Sequence, residues 1–147
     1  MAGVSVKLVG MDAALRKLRT LPKRVQGKII RPALRAAAKI GQAEARRLAP
    51  IKGGLLRKNI RVRAAKRKRG RIGVVFQNIG GDYKGETYYA AFQEFGYRIG
   101  PRKLGTARTE VPGKHFMEQA GKNKEKAMVQ TVQMMMEAGV IQEAKKA

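Results

Sequence analysis

The hydrophobic and polar positions of this chain follow several rhythms in turn. In residues 4–9, Val4, Val6 and Leu8 alternate with Ser5 and Lys7, a period of two that predicts a short strand, broken at Gly10. Asp12 then suits the N-cap of a short helix through about Arg19, with Leu15 and Leu18 on one side. From Pro22, a residue favoured in a first helical turn, the period lengthens. Val25, Ile29, Ala33, Ala36, Ala37, Ile40 and Leu48 recur at helical spacing until Pro50. Projected at about 100° per residue, Arg24, Lys28, Arg31, Arg35, Lys39 and Arg46 fall within roughly 80° of arc, and the apolar set centres on the opposite side. The segment 22–49 therefore reads as a long amphipathic helix with a cationic ridge. Pro32 predicts a kink or a split within it, and Glu44, on the apolar side, reads as an ion-pair partner.

Beyond Pro50, residues 51–58 read as a loop around Gly53 and Gly54. In 59–65, Ile60 and Val62 alternate with Arg61 and Arg63; in 72–79, Ile72, Val74 and Phe76 share one side. Two such runs around a short Gly-containing link predict a hairpin. The link carries Lys66, Arg67, Lys68, Arg69 and Arg71, so its tip must project into solvent or onto a partner. Residues 80–87 are Gly-rich and read as a loop; 88–95 concentrate Tyr88, Tyr89, Phe92 and Phe95 and fit a short helix or a strand. Residues 97–113 show no period and hold Gly100, Pro101, Gly105, Pro112 and Gly113, which predicts a long loop. A helix is expected from about His115, with Phe116, Ala120, Ala127, Met128, Val132, Met135 and Met136 on its apolar face. Gly139 is expected to stop or bend it, with 140–147 frayed. The expected fold is α+β: a small antiparallel sheet with the basic hairpin, packed against the long helix and the C-terminal helix. Residues 1–138 form one expected domain and 139–147 a C-terminal tail.

Composition narrows the chemistry. The chain has 147 residues, 44% of them apolar, enough for a core and too many for a disordered basic tail. It has no cysteine and one histidine, His115, which excludes disulfides, thiolate metal sites, a Cys nucleophile and a multi-His centre within one chain. Acids are sparse, so a paired-carboxylate hydrolase is not expected; Asp82 and Glu86, four apart in a Gly-rich loop, read better as a surface turn than as a Mg²⁺ site. Neither Gly53-Gly54 nor Gly80-Gly81 is followed by the Lys-Ser/Thr of a P-loop. No enzyme activity, cofactor or metal is expected. No apolar run approaches the roughly 18 residues of a membrane span.

Charge changes the picture most. The 33 Lys and Arg outnumber 10 Asp and Glu, for a net +23 at pH 7. Residues 1–75 hold 22 of those cations and 2 acids, whereas 76–147 hold 11 and 8. Crowding so many like charges onto half a small domain opposes compaction, and a polyanion would relieve it. A plain solvated basic face is the bland reading; nonspecific nucleic-acid contact is the sharper one. The helix ridge and the hairpin tip would neutralise phosphates without reading sequence. The Tyr88–Phe95 aromatics lie in the nearly neutral half and read as core or subunit contact rather than as base-stacking groups. The Met134–Met136 run reads as packing plus exposed helix surface.

Four segments resemble the neck and tail-completion family of long-tailed bacteriophages, whose members include minor tail components and head–tail joining proteins. VSVKLVGMDAALRKL is similar to its strand-Gly-helix opening. Leu48-Ala49-Pro50 followed by Gly53-Gly54-Leu55-Leu56-Arg57-Lys58-Asn59-Ile60 resembles its "aP-x-x-tG-x-L-x-x-s-I" segment. Tyr89 through Glu94-Phe95-Gly96 is similar to its "YA-x-x-x-EfG" motif, and Pro112 to Ala120, with Phe116, resembles its "P-x-PF-x-x-pA" helix start. The chain departs from the pattern at Gly53, where Thr or Ser usually precedes Gly54, at Tyr97 in place of Thr, and at His115 in place of Pro.

The resemblance implies a non-enzymatic virion protein at the head–tail junction, assembled in the host cytoplasm. It implies a homo-oligomeric ring, often six-fold, bound to head-connector and tail-terminator or tail-tube proteins, with double-stranded DNA passing through. The nucleic-acid or anionic-partner residues would be Arg24, Lys28, Arg31, Arg35 and Lys39 on the ridge, and Lys66, Arg67, Lys68, Arg69 and Arg71 on the tip. Tyr89, Glu94, Phe95, Gly96 and Phe116 would shape the fold or the subunit contact, with Glu94 an ion-pair candidate for the next subunit. The alternative is a cellular nonspecific RNA- or DNA-binding module, associated with ribosomes or the nucleoid.

Overall fold

Alanine-rich and methionine-rich faces bring two long helices together. A computed structural model describes residues 16, 19–51, 54–65, 72–79, 90–100 and 109–146. Helix α1 (Lys23–Leu48) and the C-terminal helix (Phe116–Ala144) lie antiparallel. A Cβ on Gly139 would come within 2.7 Å of Ile29 Cγ2. At the other end Asn123 Nδ2 donates to Glu44 Oε1 at 3.4 Å. The two contacts lie about 23 Å apart along the helix axes. Ala33, Ala37 and Ala45 of α1 face Met128, Val132 and Met136, all buried; small residues on one side leave room for large ones on the other.

Between the long helices run α2 (Leu55–Asn59), β1 (Ile60–Ala64), β2 (Val74–Asn78), α3 (Ala90–Phe95), β3 (Gly96–Ile99) and β4 (Thr109–Pro112), so the C-terminal helix is α4. The fold is α+β with two separate two-stranded antiparallel sheets. β1 and β2 pair from Ile60↔Asn78 to Ala64↔Val74, and Ala65 N–H donates to the Gly73 carbonyl just beyond. Their inner face rests on α1. A Cβ on Gly41 would lie 2.5 Å from Phe76 Cε1, so the glycine admits the aromatic ring. Leu56 and Ile60, both fully buried, extend this core past the end of α1.

Several expectations change. Pro32 neither splits α1 nor ends it: the helix is continuous from 23 to 48, and Pro32 sits on its exposed side, where water can meet the carbonyl left without a donor. Residues 55–59 are helical rather than loop, because burial of Leu56 draws the chain into a turn after Gly54. The expected loop 97–113 contains most of β3 and β4, paired from Gly96↔Pro112 to Ile99↔Thr109. Four-residue strands are too short to show a period, and the Gly and Pro residues beside them read as loop. Residues 90–95 adopt the helical option. Gly139 does not stop α4, which runs on to Ala144 with Val140 packed on the core; its missing side chain serves the approach of Ile29 instead. Met135, expected on the apolar face, is exposed. The strand at 4–9 and most of the helix at 12–19 lie outside the described residues; Arg16 and Arg19 are helical.

Candidate functional site

The spacing of Lys28, Arg31, Arg35 and Lys39 puts all four on one side of α1, and all four are exposed. They span about 16 Å of helix. None of them makes an ion pair among the described residues, where the ion pairs of Lys and Arg are Arg47–Glu44, Arg98–Glu110, Lys122–Glu118 and Lys146–Glu143. Arg24 belongs to α1, with its side chain outside the described set. Lys66, Arg67, Lys68, Arg69, Arg71 and Tyr89 also lie outside it.

Two further arginines place exposed positive charge on the sheet. Arg61 and Arg63 are exposed on the outer face of β1, while Ile60 is buried and Val62 half-buried beneath them. The alternation that predicted the strand already separated these arginines from the core. Arg46 lies within the ridge's arc by sequence but does a different job. Its Nη2 and Gln42 Nε2 both donate to the Ile60 carbonyl, at 2.9 and 2.7 Å, and so tie the start of β1 to α1.

Glu44 is the acid of α1. It is buried, and it accepts from Arg47 at 2.7 and 3.1 Å and from Asn123 across the helix pair. The Arg47 hydrogen bonds, opposed by burial and aided by Asn123, bring its carboxyl down to about 2. Its negative charge is spent inside the fold and does not neutralise the ridge.

Of the four segments that carried the family resemblance, the three that lie largely within the described residues form two joints. At the end of α1, Arg57 Nε donates to the Ala49 carbonyl at 3.2 Å, meeting one of the carbonyls a helix leaves open at its C-terminus. Gly54, at φ 71°, takes a left-handed conformation that other residues adopt reluctantly, and its N–H donates to Ile51. Leu56 and Ile60 of the same segment are the anchors already described.

The second joint starts α4. Glu94 is buried, and its carboxylate accepts from the backbone N–H of Met117 at 3.0 Å and of Glu118 at 3.2 Å. A carboxylate borrowed from α3 thus caps the positive end of α4. Backbone bonds from Lys114 to Gln93 and from His115 to Glu94 lock the same corner. Gly96, at φ 81°, and Gly113 cross so closely that a Cβ on Gly113 would collide with the Glu94 carbonyl oxygen. Phe116 is buried behind the cap and Phe95 is 60% exposed in front of it. His115 enters α4 at φ 47°, which a proline ring cannot reach, so where the resemblance expects Pro this chain turns into the helix by another route. The Glu94 carboxylate, engaged within its own chain, is occupied by this cap.

Among the described residues no group of three or more His, Asp and Glu is placed to hold a metal, and no helix is long and apolar enough to cross a membrane. No curated protein and no solved structure matches the chain. A family model does. It covers residues 12–96, taking in α1, the Pro50–Ile60 joint, the first sheet and Glu94-Phe95-Gly96. The matched family is described as "Bacteriophage HK97-gp10, putative tail-component", and with more than half of its residues inside that match the chain belongs to this phage tail-component family.

Proposed function

We propose that this chain is a structural neck or tail-completion protein of the head–tail junction. It forms a homo-oligomeric ring that joins the capsid connector to the tail and touches DNA nonspecifically through its basic surface. Family membership gives the coarser part, a tail-associated structural protein of a phage particle. The observation that supports the DNA contact is the ridge of Lys28, Arg31, Arg35 and Lys39, four exposed cations with no acid against them among the described residues. Spaced along one helix face, they can follow a line of phosphates, a contact that positions a protein on a duplex without reading its sequence. Arg61 and Arg63 add two exposed cations on the first sheet. Subunits of net +23 repel one another, so ring closure is expected to need DNA, an acidic neighbour or screening salt.

The test is the salt dependence of binding to duplexes of unrelated sequence. Substituting all four ridge residues by Gln should make the log–log salt slope shallower by about 3–4 and weaken binding by about 10³-fold at 0.15 M salt, equally for every sequence. An unchanged slope removes the ridge from the contact; a loss confined to one sequence removes the nonspecific reading. A particle reconstruction tests the location: density for this chain between portal and tail tube supports the junction, whereas recovery only on ribosomes or chromosomal DNA overturns it.

A further inference from the structure

The described residues contain eight large apolar side chains left exposed, and six of them gather at the two ends of α4. Phe95, Tyr97 and Ile99 stand at its start, 60, 39 and 53% exposed, on and beside the ribbon of β3 and β4. Tyr97 and Ile99 share a strand face, and Tyr97 leans its ring edge-on to Phe92 at 5.5 Å between centroids. None of the eight strand residues is buried. A two-stranded ribbon without burial is marginal by itself and gains from a partner.

At the far end, Met134 and Ile141 are 69 and 56% exposed, with exposed Ala138 between them. The spacing i, i+4, i+7 makes them one stripe, turned away from the buried Val132 and Met136. The stripe lies about 27–38 Å along α4 from Phe116, where the ribbon begins. Within one chain the two patches cannot meet.

Charge selects the occupant. Residues 127–144 are the longest stretch of the chain without Lys or Arg, in a protein that has 33, and they carry Glu137 and Glu143. Lys145 and Lys146 follow, the latter paired with Glu143. On the ribbon, Arg98 and Glu110 pair with each other, and the sequence joining the strands adds Arg102, Lys103 and Arg108 with no acid. A second copy of this chain is repelled from most of a +23 surface, but its ribbon meets a helix end that is apolar and carries no net charge, two Glu against two Lys, without that penalty.

We propose that the ribbon patch of one copy docks on the α4 stripe of the next, a head-to-tail contact between identical chains. Contacts of this kind close into a ring when the rotation allows and otherwise run on as a filament. The inference rests on the homo-oligomer part of the proposed function and names the surfaces that would build it.

The two halves can be broken separately. F95S/I99S removes the ribbon patch and keeps the stripe; M134S/I141S does the reverse. All four positions are largely exposed, so both variants should keep the wild-type far-UV spectrum. Light scattering in screening salt should find the wild type assembled and each variant monomeric. An equal mixture of the two variants should have twice the monomer mass and no more, because one intact contact remains. Variants that still assemble as the wild type does, or a mixture that stays monomeric beside an assembling wild type, overturn the proposed surfaces. A wild type monomeric at every salt concentration, with and without DNA, overturns the homo-oligomer reading itself. The natural absence of cysteine allows an independent check. Under oxidation I99C should cross-link to I141C and neither should cross-link to itself; like-with-like bonds alone would indicate a two-fold contact and overturn the head-to-tail arrangement.

Discussion

α1 and α4 pack on the same core with different resources. α1 offers it small residues, Ala33, Ala37, Gly41 and Ala45, and α4 answers with Phe116, Met128, Val132 and Met136. Their outer faces diverge further. α1 carries eight Lys and Arg and one acid, sharply divided between ridge and core. α4 carries three Lys and four Glu, with apolar residues on more than one side of its C-terminal half. A packed helix pair needs one stripe from each partner and leaves the remaining arc free. Here that arc is basic on one helix, suited to a polyanion, and nearly neutral and apolar on the other, suited to protein. The starts of the helices differ as well. Pro22, the N-cap of α1, offers no side-chain cap bond, whereas α4 begins under the carboxylate of Glu94.

The largest expected effect in this comparison is at that cap. Glu94→Ala leaves the Met117 and Glu118 amides without their acceptor and should cost about 1–3 kcal/mol in a urea titration. Amide exchange should rise in the first turn of α4 more than in the first turn of α1. A variant as stable as the wild type would show that the backbone bonds from Lys114 and His115 hold the corner by themselves.

Gly139→Ala probes the side that the helices share. Alanine adds about 1 kcal/mol of helix propensity, but its Cβ would press on Ile29 at 2.7 Å. Overpacking should win, for a net loss of about 1 kcal/mol and a lower Tm. A gain in Tm would mean that Ile29 yields and that the glycine is a weak point in α4 rather than a place of close approach.

The smallest effect is confined to acid. Glu44 has its folded-state carboxyl brought down to about 2, below the ordinary value of 4.5. Its contribution is therefore fully present above the ordinary value and is lost as pH falls from there through about 2. Glu44→Gln should destabilise the protein at pH 7, with the difference from wild type narrowing steadily below pH 4. A difference that stays constant into acid would place the effect in packing rather than in the Arg47 and Asn123 bonds.

Much of the candidate site is legible in the order of the residues. The ridge needs only the helical period of 22–49 and the positions of its cations, and the first sheet needs only the alternation around 59–79. Both are local patterns, set by residues a few positions apart. Arg46 shows the limit. It shares the ridge's arc, yet it is spent on the Ile60 carbonyl, a partner 14 residues away.

Local pattern alone settles the outer bounds of α1 and the start of α4, which face of α1 is charged and that the positive charge gathers in the first half of the chain. Periodicity and composition act over one or two turns and need no knowledge of the fold. Tertiary packing decides that Glu94 caps a helix 23 residues later, that Arg57 closes the end of α1 and that Gly96 and Gly113 cross. It also decides that Gly139 is a contact with Ile29 rather than a helix stop. Each of these depends on which distant segments become neighbours, and a residue carries no local mark of the partner that packing will bring to it.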